Sequence, residues 1–345
     1  MSSLLQVELE RNLSDILTNQ FGMTPDTGVM VIHDTQSPLS SLITQAYRKV
    51  LSGRTNAYFV DYDSLPPADI IAQIHSSMRP GDIAVLVQST SFRVSAYRWR
   101  LDLFDRKLKV IEHMRLSYMS EEEIPTYIRS LKDESAWLRP MAEKLRDLLT
   151  RTTHIKIECV GGSILTYHSA MEKPVVNDGD YSKTLHAGGG YPIGELFSEP
   201  VDLSTAEGEV EVYAYPGEDH KMRFAQKPFL IRIKNGCVEG GDFPPEFQPL
   251  IEMMRNENPD GKIPVREFGL GLNRNITPEH RLTEATAFER IAGLHLSLGW
   301  KHGAYLKKFK HEKELVQRYH VDIYPSTRRI WLNATLIFED GQFVV

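Results

Sequence analysis

The chain has 345 residues, 41% of them apolar and 25% charged, and a formal net charge of −6. That length allows roughly two domains of usual size, the composition is that of a soluble globular protein, and the acidic balance argues against nucleic acid as the main partner. The two cysteines, Cys159 and Cys237, have no CxxC partner. They exclude a disulfide scaffold and lead to the expectation of a reducing, cytoplasmic setting. The opening MSSLLQVELERNLSD lacks the apolar core of a signal peptide. No apolar run reaches the ~18 residues that span a bilayer, so no membrane partner is expected.

In chain order, residues 3–21 have helical spacing and predict a leading helix. GVMVIH (28–33) predicts a buried strand, and Ser37-Pro38 opens a helix with proline in its first turn. NAYFVDY (56–62), DIAVLVQS (82–89) and LKVIEH (108–113) are further strands, with helices in PPADIIAQIHSSM and SAYRWRLDLFDR between them. Alternation of this regularity predicts an open, mostly parallel α/β sheet covered on both faces. Amphipathic helix then runs through SEEEIPTYIRSLKDESAWLRPMAEKLRDLLTR. The half contains neither GxGxxG after its first strand nor GxxxxGK[ST], so dinucleotide and P-loop readings have no support. His33-Asp34 follows the first strand, where such sheets place ligand contacts; the plainer reading is a solvated turn. SFRVSAYRWR, with Arg93, Arg98 and Arg100, is either an anion site or, as expected, a solvated helix face.

At His154 the texture changes. THIKIECVGGSILTYH, GEVEVYAYP (208–216), FLIRIKNGCVEGG (229–241) and RIWLNATLIFEDGQFVV (329–345) alternate apolar and polar residues, and Asn235-Gly236 and Asp340-Gly341 are hairpin turns. The expectation is an α/β domain over 1–152 and a mixed or antiparallel, β-rich α+β domain over 153–345. Two stretches of the second half are unlike ordinary strands. HAGGGYPIGELFSEP (186–200) combines three consecutive glycines with Glu195, a pattern that lets a backbone approach a ligand or simply forms a turn.

The other stretch, from Ile263 to Ile323, organises the chain. It carries Glu267 in VREFGLGLN, His295 in AFERIAGLHLSLG, and His320 and Asp322 in YHVDIYP. In a strand, residues two apart share a face, so His320 and Asp322 make a two-ligand clip for a borderline divalent ion. Glu267 lies among apolar residues and glycines, so its carboxylate is either buried with a partner or at a strand end. His295 reads as lying on a helix, with Phe288, Ile291, Ala292 and Leu296 on the apolar side. Each alone is weak; together they predict a metal site.

The C-terminal half resembles the metal-dependent aminopeptidases of the aminopeptidase T family. PIGELFSEP matches that family's Thr-Gly-Glu element at Glu195, VREFGLGLN its Gly-Glu element at Glu267, GLHLSLG its histidine helix at His295, and HVDI its His-x-Asp strand at His320 and Asp322. The resemblance implies a two-metal site, zinc- or cobalt-like, with bridging carboxylates, and a homodimer. Where the family has a tyrosine seven residues after the helix histidine, this chain has His302, which is either a substitute ligand or the mark of a site that has drifted toward one metal. The chain also resembles, almost end to end, 2,5-dihydroxypyridine 5,6-dioxygenase, a non-haem Fe(II) ring-cleaving enzyme that has a histidine in place of Glu267.

These resemblances order the expected functions. First is a hydrolase of peptide or amide bonds, with Glu267, His295, His320, Asp322 and His302 as ligands and Glu195 as ligand or bridge. In it, Glu195 or Glu267 is the general base. The glycines 188–190 line the substrate entrance, and Arg266 or His302 steadies the oxyanion. Second is an Fe(II) dioxygenase of a hydroxylated pyridine or other aromatic. Third is a non-catalytic peptide-binding protein of a natural-product pathway on the same fold.

Overall fold

The computed structural model describes residues 3–94, 97–185, 187–300 and 319–345. They form a mixed α/β structure with one parallel sheet, one large antiparallel sheet and a two-stranded antiparallel pair, Arg93–Val94 with Tyr97–Arg98. The chain divides into two compact units, each built from three segments. Unit 1 comprises Met1–Ser135, Asp178–Ile193 and Asn273–Phe288; unit 2 comprises Ala136–Asn177, Gly194–Leu272 and Glu289–Val345.

Unit 1 carries a parallel sheet of five strands among the described residues. Across the sheet they are Gly188–Tyr191, Lys109–His113, Ile83–Val87, Val29–His33 and Ala57–Asp61. The three central strands are buried at every residue, as in a sheet covered on both faces; Val29–His33 and Ile83–Val87 are nearly all apolar, while Lys109–His113 buries Lys109, Glu112 and His113 as well. Met30, Ile32, Ala84, Leu86 and Val110 pack with Ile70, Ile74, Trp99 and Leu103 in one core layer. Each such buried aliphatic side chain contributes roughly 1.5–3 kcal/mol. The helix Pro38–Val50 starts where Ser37 accepts a hydrogen bond from the Ser40 backbone, and Pro38 presets its first turn.

Three local expectations for this unit are corrected. SAYRWRLDLFDR is not one helix: the helix begins at Trp99, which is buried, and Arg100 pairs with Glu112 at 2.9 Å. His33 and Asp34 do not form a solvated turn. They are 4% and 2% exposed, and the Asp34 carboxylate accepts from both the backbone N–H and the hydroxyl of Ser89. The glycines 188–190 form a strand rather than a loop, because a Cβ on Gly188 would lie 1.9 Å from the carbonyl oxygen of Val110 on the neighbouring strand. Only a bare backbone can pair there. At the end of Lys109–His113, the His113 ring is enclosed by two tyrosines, Tyr47 Oη 3.0 Å from Nε2 and Tyr127 Oη 2.8 Å from Nδ1.

Unit 2 is organised on a sheet of thirteen strands among the described residues, all paired antiparallel. The Asn235-Gly236 hairpin joins Met222–Lys234 to Cys237–Gly241, and the Asp340-Gly341 hairpin joins Thr335–Glu339 to Gln342–Phe343. Both turn pairs have positive φ at both residues, the conformation that matches strand twist in a two-residue hairpin. Four consecutive strands of this sheet matter most. They are Glu195–Ser198, Val265–Gly271, Gly293–Gly299 and His320–Pro325, and they lie side by side in that order. Among the described residues, no helix is long and apolar enough to cross a membrane.

Candidate metal centre

His295 sits on a strand, not a helix: Gly293–Gly299 pairs with Val265–Gly271 on one side and His320–Pro325 on the other. Leu294, Leu296 and Leu298 alternate with His295, Ser297 and Gly299, so the polar set shares one face of the sheet. The registers extend that face across all four strands. Gly269 stands opposite His295, Glu195 opposite Gly271, Asp322 opposite Ser297 and His320 opposite Gly299. Residues directly opposite in an antiparallel pair point the same way. Glu195, His295, His320 and Asp322 therefore project from one face, with glycines and a serine between them.

Glu267, two residues before Gly269, shares the same face and sits at a β-bulge. The register shifts between Val265, opposite Leu298, and Phe268, opposite Leu296, so Arg266 and Glu267 together oppose Ser297. A bulge of this kind re-aims a side chain. The Glu267 backbone N–H, taken out of the ladder, donates to Ser297 Oγ at 3.0 Å. Arg266 donates from Nε to the Gly299 carbonyl at 2.8 Å, clasping the bulge to the neighbouring strand.

The donor atoms converge. Nε2 of His295 lies 3.3 Å from Glu267 Oε1 and 3.5 Å from Glu195 Oε1. Nε2 of His320 lies 3.1 Å from Asp322 Oδ1 and 4.0 Å from Glu267 Oε2. Nδ1 of His320 faces the Trp300 carbonyl at 3.1 Å, a contact that holds the ring with Nε2 toward the carboxylates. Two overlapping groups result: Glu195, Glu267, Glu289 and His295, and Glu267, His320 and Asp322. In each, one ligand atom per residue lies within 4.8 Å of the others. Glu195, Glu267 and His295 are 4%, 1% and 1% exposed.

Sequence reasoning missed Glu289 and Arg290. Arg290 Nη1 contacts Glu195 Oε2 and lies 3.3 Å from Glu289 Oε2. The available signal was the adjacent pair Glu-Arg between Phe288 and Ile291, both buried; charged residues inside such a run need partners. Tyr324, two residues beyond Asp322 on the same strand, places its ring 6.0 Å from that of His295. His302 lies outside the described residues.

The donor set suits a divalent cation on three counts. Buried oxygens Glu195 Oε1, Glu267 Oε2 and Asp322 Oδ1 have no hydrogen-bond partner of acceptable geometry among the described residues. A Cβ on Gly269 would lie 1.9 Å from His295 Nε2, so the absence of a side chain there is what lets the imidazole lie over the strand. The electrostatics also call for positive charge. Burial works against it, yet the Glu195 and Glu267 carboxylates beside the ring hold the His295 pKa well above its ordinary value. Burial is likewise overcome at His320, which Asp322 and Glu267 raise to about 10. At Glu195, burial is outweighed by Arg290 and His295, which bring it down to about 2. Burial raises Glu267 and pushes Glu289 well above the usual carboxylate range. The cluster is an excess of buried acid that draws in cations, and mixed imidazole and carboxylate donors fit zinc, cobalt, manganese or iron.

No protein-family model and no curated protein matches the chain. Solved structures do match in fold. The 2,5-dihydroxypyridine dioxygenase of Pseudomonas putida KT2440 is 15% identical with a TM-score of 0.64, covering 100% of this chain and 98% of that one. Wild-type AmpT of Thermus thermophilus, an aminopeptidase T, is 13% identical with a TM-score of 0.64, covering 98% of this chain and 99% of that one. The two resemblances read from the sequence are thus both matched in fold over the whole chain, at identities that speak to fold alone.

Proposed function

We propose that the protein is a metal-dependent hydrolase of peptide or amide bonds, aminopeptidase-like, acting on a peptide or a small amide. What carries the reading is the convergence of three carboxylates and two histidines on one sheet face, with Glu289 beside them and with buried carboxylate oxygens lacking hydrogen bonds. Glu267, His320 and Asp322 would hold the ion, with His295 beside them against Glu267. A divalent ion bound there supplies Lewis-acid polarisation of a carbonyl and acidification of water. Glu195 is held by Arg290 through Oε2 and presents Oε1 to the cluster; in this reading Oε1 accepts the proton of the attacking water. Ser297 and Arg266 fix the bulge and so keep Glu267 in place.

Hydrolysis of aminoacyl-p-nitroanilides should disappear on dialysis against a chelator and return with zinc or cobalt. Glu195→Gln should lower kcat by roughly 10²–10⁴ with little change in KM. Turnover that is indifferent to metal removal would sink the proposal. A second reading draws on His320 and Asp322, which share one donor group, together with His295 of the neighbouring group, as the two histidines and one carboxylate of the kind used by Fe(II) oxygenases. Iron-dependent oxygen uptake with a dihydroxypyridine, and no amide cleavage, would select it.

A further inference from the structure

We infer that Arg290 stands where a second cation would otherwise sit, so that the centre holds one divalent ion per chain. The inference rests on the metal-centre reading above and sharpens it. The two donor groups share Glu267, an arrangement suited to two ions bridged by one carboxylate. They are not equivalent. The group of Glu195, Glu267, Glu289 and His295 already contains a fixed positive charge, because the Arg290 guanidinium contacts Glu195 and lies 3.3 Å from Glu289. Its side chain is 9% exposed and that of Glu195 5%. A guanidinium does not give up its proton, so this charge cannot be discharged to admit a metal. Two cations in one dry pocket repel each other strongly.

The group of Glu267, His320 and Asp322 differs in kind. Its ion pairs with described residues are with histidines, which become ligands by losing a proton. Its orphaned oxygens, Glu267 Oε2 and Asp322 Oδ1, have no guanidinium against them among the described residues. The position of Arg290 is also built into the fold. A Cβ on Gly271, which stands opposite Glu195 in the register, would lie 2.8 Å from the Arg290 carbonyl carbon and 1.9 Å from the Ile291 oxygen. The bare glycine lets the Arg290 backbone pack directly over the Glu195 strand pair. Arg290 thus converts a potential two-ion bay into a one-ion site with an internal counter-charge, and Glu195 becomes its partner rather than a bridge.

The test is a count of bound metal on the full chain, by calorimetric titration with zinc and with manganese and by elemental analysis after desalting. Wild type should saturate at one ion per chain. Arg290→Met, which frees Glu195 and Glu289, should saturate at two, and Arg290→Lys, which keeps the charge, should stay at one. Two ions on wild type, or one on a folded Arg290→Met, overturns the inference and leaves the metal centre standing. No ion on wild type removes both. Should Arg290→Met fail to fold, the wild-type count and Glu195→Gln still decide: that variant should keep its one ion, and its failure to bind would return Glu195 to the ligand shell.

Discussion

Gly269 shows how little material separates a candidate metal centre from an ordinary strand pair. Its missing side chain is the space in which the His295 imidazole reaches Glu267 and Glu195. Gly269→Ala should therefore drive the ring off the strand. The expected cost is about 1–3 kcal/mol of stability from overpacking, and a loss of metal affinity of at least about tenfold by analogy with disturbed ligand support. Urea denaturation and metal titration read the two effects separately; an alanine variant that binds metal like wild type would show that the imidazole has another place to go. Ser297 is the companion case. Removing its hydroxyl in Ser297→Ala leaves the buried Glu267 N–H without its acceptor, at a cost of about 1–3 kcal/mol measurable by the same denaturation.

At the scale of elements, the chain was readable where period and turn chemistry were both explicit. The βαβ alternation of unit 1 and the Asn-Gly and Asp-Gly hairpins follow directly from residue order. The same rule read His320 and Asp322 correctly onto one strand face. His295 was read as helical because Phe288, Ile291, Ala292 and Leu296 suggested a helical stripe. Yet Leu294, Leu296 and Leu298 alternate with His295, Ser297 and Gly299, and a strand buried on both faces blurs that alternation. Glu267 follows the alternation that Gly269 sets, whereas Arg266 could not be oriented from sequence, since parity fails at a bulge and a bulge has no residue signature of its own here. Glycine-rich 188–190 was misread for the opposite reason. Glycine usually marks a loop, but here close pairing with Val110 demands it. The Asn235-Gly236 turn offers a direct check. Gly236→Ala would place a Cβ 1.9 Å from the Leu203 carbonyl oxygen at a φ of +70°, and should cost more than about 1 kcal/mol in thermal or chemical denaturation.

At the scale of the molecule, stability should respond to acid through His113. Burial pushes its pKa down to about 3, and both ring nitrogens are already engaged by Tyr47 and Tyr127. The folded pKa lies below the unfolded value of about 6.5, so the unfolded chain takes up a proton that the folded one refuses. The stabilising contribution is present above pH 6.5 and is lost as pH falls through the interval down to about 3. The one-proton slope there is about 1.4 kcal/mol per pH unit. Urea midpoints between pH 7 and 4 should show the slope in wild type and less of it in His113→Gln; equal slopes would assign the acid sensitivity elsewhere. Ligand linkage acts in addition. Metal at about 100 times its Kd should raise unfolding free energy by about 2.7 kcal/mol, visible as a melting temperature that falls with chelator.

The interleaved course of the chain sets a limit on dissection. The strand Gly188–Tyr191 borders Lys109–His113 in the parallel sheet, although 74 residues, 114–187, lie between His113 and Gly188 in sequence. A recombinant fragment stopping near residue 152 would leave Lys109–His113 with bare amide and carbonyl groups along one side. Such an unguarded margin invites pairing with other copies, so the truncated product should precipitate or self-associate in sedimentation runs, whereas co-expression with the remaining chain should restore a well-behaved particle.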